Sequence, residues 1–238
     1  VALSLLPDRS VDDPDYQWNL SRGMMLIFLA QGNAAIGDRE ESLRRIHLAW
    51  MYAQTRGDFR TLVYALINLT YDAWAVGDVD ETLRYCDRML AEDERMALVA
   101  PHQRLLPRQV KAAALFYRNE LDDALKWALD AEVHTPLAGS QVYAAETYRI
   151  LILIYEALGD TTGVDRALAE LERIQIAIPR HQWIVPMIKA RSELVRGQTG
   201  SARAWVAAHL QGDRFELQSP NANERAIAHL FRARLLIV

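Results

Sequence analysis

A single cysteine, Cys86, stands among 238 residues. It excludes a disulfide framework and any metal site built from several cysteines. Breakers are scarce as well. Eleven glycines and eight prolines make up about 8% of the chain, against about 12% in average usage. Positive charge is not in excess: 27 Lys and Arg face 31 Asp and Glu, a formal net charge of −4, which argues against direct contact with nucleic acid. Long apolar runs are missing. The longest stretch without a charge, Gly23 to Gly37, has 15 residues and contains Gln31 and Asn33, too short and too polar to span a bilayer. No basic-then-apolar signal opens the chain. A cytoplasmic setting without membrane contact is expected.

What is present is enough apolar surface for a core: 51% hydrophobic and 24% charged residues. The apolar residues recur at helical spacing. Leu62, Ala65, Leu66, Leu69 and Ala73 share one stripe, as do Tyr148, Leu151, Ile152 and Tyr155, and as do Leu83, Cys86 and Leu90. About eleven helices are expected, near 15–36, 39–56, 58–76, 79–92, 102–118, 121–133, 139–158, 161–176, 180–197, 199–210 and 221–238. Nothing reads as a strand. No shift of composition marks a second domain, so residues 1–238 are expected to form one domain. The chain opens on Val1 rather than Met and closes on the apolar run Leu235 to Val238, which leads to the expectation of a piece of a longer protein.

A turn signal repeats along the chain. An apolar helical run ends in Gly-Asp or a relative, and a small or apolar residue follows five positions after the Gly. The instances are Gly37-Asp38 with Ser42, Gly77-Asp78 with Thr82, Asn119-Glu120 with Ala124, Gly159-Asp160 with Val164, and Gly197-Gln198 with Ala202. The intervals are 40, 42, 40 and 38 residues. Gly or Asn can take the left-handed conformation that closes a helix. Asp just beyond it can accept the orphan N–H groups of the next helix. A small residue one turn further lets the two helices approach. Each unit is therefore a helical hairpin, with longer loops expected between hairpins than within them. Stacked hairpins of this period predict an all-α, right-handed superhelix of about five tetratricopeptide-like hairpins plus a final helix. An irregular bundle is the plainer alternative.

The last third carries a more specific pattern: Ile178-Pro179, Trp183, Ala190-Arg191, Leu194, Gly197, Ala202-Arg203-Ala204-Trp205, and then Ala233-Arg234-Leu235-Leu236-Ile237. With the forty-residue period, it resembles the tetratricopeptide-like region of MalT-type, large ATP-binding LuxR-family transcriptional regulators. The resemblance implies a nucleotide module upstream and a helix-turn-helix downstream, neither of which this chain contains. ATP would then be expected on an absent flanking domain, with no cofactor on this one. The resemblance also implies a region that senses a small-molecule inducer or a regulatory protein. A homo-oligomer stays open alongside these partners. Trp183 and Trp205 match family positions and are expected to pack helices together.

Catalytic chemistry finds little footing. No two of the six histidines stand at i, i+3 or i+4, and none pairs with Cys86, so no local metal site is expected. Cys86 lies on an apolar stripe, as a small buried hydrophobe would. Glu40-Glu41, Asp80-Glu81 and Asp122-Asp123 sit in first turns, where they complement the helix dipole. No Gly-x-Ser-x-Gly turn occurs. An enzyme is not expected. If the five turns are equivalent, the groove side of each first helix carries Tyr64, Tyr71 and Trp74, then Gln109 and Phe116, then Glu146 and Arg149, then Arg191. That would combine an aromatic wall with a charged patch, suited to an amphipathic molecule, an acidic ligand or a peptide. Against it, aromatic stripes are usually core, and Arg149 could simply pair with Glu146. Two functions stay open: the sensor region of a regulator, and a free-standing adaptor that holds a peptide or protein partner.

Overall fold

The computed structural model describes residues 16–95, 103–174, 182–211 and 214–215. They are almost wholly helical. The α-helices are α1 (Tyr16–Ala35), α2 (Arg39–Arg56), α3 (Phe59–Ala75), α4 (Val79–Ala91), α5 (Leu105–Tyr117), α6 (Leu121–His134), α7 (Gln141–Leu158), α8 (Thr161–Glu172), α9 (Ile184–Val195) and α10 (Gly200–His209). A 3₁₀ turn, Thr135–Ala138, separates α6 from α7. The expected final helix, 221–238, with Ala233 to Ile237, lies outside the described residues, as do Ile178 and Pro179.

The recurring turn does what its chemistry requires. Gly37, Gly77, Gly159 and Gly197 all have φ between 72° and 86°, and Asn119 joins them at 61°. In each Gly turn the following residue donates its N–H back five residues: Asp38 to Asn33, Asp78 to Ala73, Asp160 to Tyr155 and Gln198 to Glu193, all at 2.9 Å. This closes the first helix in a Schellman motif. The same aspartates then cap the second helix, Asp38 accepting from Glu41, Asp78 from Glu81 and Asp160 from Gly163. Glu120 makes no such side-chain cap, so the third turn lacks that part.

A further turn of this kind escaped the forty-residue count. Gly57 has φ 67°, the Asp58 N–H reaches Ala53 at 2.9 Å, and the Asp58 carboxylate caps α3 at Thr61. Gly37, Gly57 and Gly77 therefore stand 20 residues apart, and the same device joins helices within a hairpin and between hairpins. The expectation of longer loops between hairpins fails here: only Gly57 and Asp58 separate α2 from α3. A second correction lies after α10. Leu210–Gln211 pairs antiparallel with Arg214–Phe215, a two-residue ladder where no strand was expected.

The chain divides into two compact units, at Arg118 and Asn119. In the first, α1 packs on α2, α2 on α3, α3 on α4 and α4 on α5, and α1 also touches α3. One core joins α1, α2 and α3 through Leu26, Ile27, Ile46, Ala49, Ala65 and Leu69. The next joins α3, α4 and α5 through Phe59, Val63, Leu66, Ile67, Met89 and Leu106. Helix α3 serves both, which explains why its sequence is apolar nearly all round. Residues 41–50 and 81–90 follow the same order of buried, half-buried and exposed positions, so α2 and α4 occupy equivalent environments.

In the second unit α6, α7 and α8 pack in succession, α9 packs on α10, and α9 touches both α7 and α8. Here α7 takes the central role, with Ala145, Ile150, Leu151, Ile152, Ile154 and Tyr155 buried. The residues five past each turn, Ser42, Thr82, Ala124, Val164 and Ala202, are all buried, as close helix approach demands. In α8 the closest approach falls one residue earlier. A Cβ added at Gly163 would lie 2.5 Å from Cδ1 of Tyr155. Trp183 and Trp205 are buried.

Candidate functional site

In the first unit the candidate residues come from α3 and α5. Tyr64 is half-buried and packs against the α1–α2–α3 core. Tyr71 lies two turns on, 45% exposed. Trp74 meets Tyr117 of α5 edge-on, ring centroids 5.3 Å apart at 64°, and Phe116 meets Tyr117 at 5.6 Å and 80°. Edge-to-face pairs of this kind are favoured by the ring quadrupoles. Tyr117 itself is 67% exposed. The structure thus joins Trp74 and Phe116 through Tyr117 into an aromatic edge with Tyr71 on the same helix as Trp74. Gln109 is not part of an open face: it is 3% exposed, inside the unit. Its position on α5, ten residues before the turn, is equivalent to that of Ile67 on α3, which is buried in the core joining α3, α4 and α5.

In the second unit the charged candidates are already neutralised. Arg149 donates Nε–H to Glu146 Oε2 at 2.8 Å and Nη2–H to Oε1 at 2.6 Å, a fork closed within α7. Arg191 donates to Glu156 Oε2 at 3.0 Å, tying α9 to α7. Their carboxylates occupy the guanidinium faces that an acidic ligand would use. The plainer reading of Arg149, an i, i+3 partner of Glu146, is what the geometry has. Glu156 Oε1 and the Ser192 hydroxyl are buried without a hydrogen-bond partner.

Two polar features of the first unit were not singled out in the sequence. Asn68 lies one turn beyond Tyr64, accepts from Gln31 Nε2 of α1 at 3.3 Å, and donates to the Tyr64 carbonyl at 2.7 Å. The signal was available: an uncharged amide at i+4 from Tyr64, inside an apolar helix. Arg39 forks onto Asp72 at 2.8 and 2.6 Å, fastening α2 to the α3 face between Tyr71 and Trp74. A separate nest centres on Trp50. Arg88 lies over its ring at 4.3 Å, His47 stacks on it at 6.3 Å, and Tyr85 meets it edge-on at 6.3 Å. Burial and the neighbouring Glu81 push the Tyr85 hydroxyl up to about 12.

The remaining electrostatics serve the scaffold. Burial pushes the Cys86 thiol up to about 12, so it is a poor nucleophile at neutral pH. Hydrogen bonds from Arg44 and then Arg45 hold the Glu41 carboxyl down at about 2. Burial works against ionisation of Asp93, yet hydrogen bonds from Arg104 and Arg108 hold its carboxyl far below the ordinary aspartate range. Among the described residues no group of three His, Cys, Asp or Glu could hold a metal ion. None of the described helices is long and apolar enough to cross a membrane. The arrangement offers stacking surfaces and amides, groups of the kind that line binding sites. No family model, no curated protein and no solved structure matches the chain.

Proposed function

We propose that this chain is the effector-sensing or protein-interaction region of a signal-transducing, ATPase-type transcriptional regulator of the MalT type, binding a small-molecule inducer or a regulatory protein. The observation that carries the reading is the aromatic edge of Trp74, Phe116 and Tyr117, the last of them 67% exposed. Large exposed aromatic groups held on rigid helices are the kind of surface that binding sites use. The tetratricopeptide-like superhelix belongs to the same proposal. It is supported within each unit by contact between successive first helices, α1 with α3 and α7 with α9. An effector acts here by binding one arrangement of the hairpins more tightly than another. No catalytic step is assigned to the chain, and ATP belongs to a module outside it.

A second reading, an adaptor for an extended peptide, is favoured by the Gln31–Asn68 amide pair beside Tyr64 and Tyr71. Amides in such a place can bond a peptide backbone while the rings take its side chains. Sequencing the native coding region on both sides separates the two. A phosphate-binding loop upstream and a helix-turn-helix downstream are expected for the regulator. A start codon just before Val1 with a stop soon after Val238 would overturn that reading and leave the adaptor.

A further inference from the structure

We draw no further inference here: the strongest candidate, the exposed apolar edge of Ile36, Val76 and Tyr117 at the C-terminal ends of α1, α3 and α5, carries nothing because nothing in the structure shows what covers it.

Discussion

Gly163 and Gly32 show how differently one residue type can be used. A methyl group at Gly163 would meet the Tyr155 ring at 2.5 Å and the capping Asp160 carboxylate at 2.6 Å. The ring cannot swing aside easily, because it is buried and its hydroxyl is held by Arg166 at 2.9 Å. Gly163→Ala is therefore expected to cost about 2 kcal/mol by overpacking. Gly32 lies inside α1 with nothing within 4 Å of an added Cβ. Gly32→Ala is expected to gain about 1 kcal/mol from helix propensity alone. Urea unfolding of the two variants checks both signs. The capping aspartates differ in a similar way. Asp78 is exposed and bonds one N–H, whereas Asp58 is 3% exposed and accepts from both the N–H and the hydroxyl of Thr61. Asp58→Ala should cost about 2 kcal/mol and Asp78→Ala about 1 kcal/mol. Equal losses in the same unfolding assay would show that burial of the cap adds nothing. At this scale the sequence was readable wherever backbone conformation dictates the residue. Gly and Asn at the left-handed positions were legible because almost no other residue sits there comfortably. The role of Gly163 was not, because it depends on a ring that arrives from another helix.

At the scale of the element, the approach to α5 is fastened by charge. Arg104 donates Nε–H to Asp93 Oδ1 at 3.0 Å and also bonds Oδ2, while Arg108, whose side chain is 7% exposed, donates to Oδ1 at 2.8 Å. The Asp93 carboxyl titrates below its ordinary range in the folded chain. Its contribution to stability is thus complete above the unfolded value of about 3.9 and is lost as pH falls below it. Asp93→Asn should lower stability by about 2 kcal/mol at pH 7. Its curve and that of the unsubstituted chain should begin to approach each other as pH falls below about 3.9 and should meet only well below it, near the depressed folded value. Denaturant titrations across that range test this, and parallel curves would remove Asp93 from the acid response. Helix positions themselves were largely legible. The stripe spacing and the caps put α2 at 39–56 and α3 at 58–76, against Arg39–Arg56 and Phe59–Ala75 observed. The two-residue connection at Gly57 was not read as a turn of the same family, because a count anchored on forty residues steps over a device repeating every 20. The pairing at Leu210–Gln211 carries no alternation to read, since two residues are too few to show a period.

For the whole molecule, the recurring turns were legible, whereas the surroundings of the candidate site residues were not. A helix periodicity tells which residues share a face, and Tyr64 and Tyr71 do share one. It does not tell what the face meets. Gln109 therefore went to the interior, while Tyr117, next to Phe116, became the centre of the aromatic edge. The charged positions were legible as helix neighbours, but the ion pairs that neutralise Arg149 and Arg191 decide their role. The proposed binding face makes a measurable claim. Tyr71→Ala should change stability by about 1 kcal/mol or less, since much of the ring is exposed. Trp74→Ala should cost more, through the lost contact with Tyr117. Both should weaken binding of the inducer or partner about tenfold or more when titrated by calorimetry. Unchanged affinity in two folded variants would reject the face as the site.

The paired use of Asp38, Asp58 and Asp78 sets rules for how this stretch can change length. Each of the three ends one helix with its N–H and begins the next with its carboxylate, so the connection has no spare residue. An extra amino acid at any of these turns would separate the two duties and turn the following helix by about 100° out of its groove. Insertions and reporter tags belong instead at the Thr135–Ser140 connection, where α6 and α7 keep independent ends.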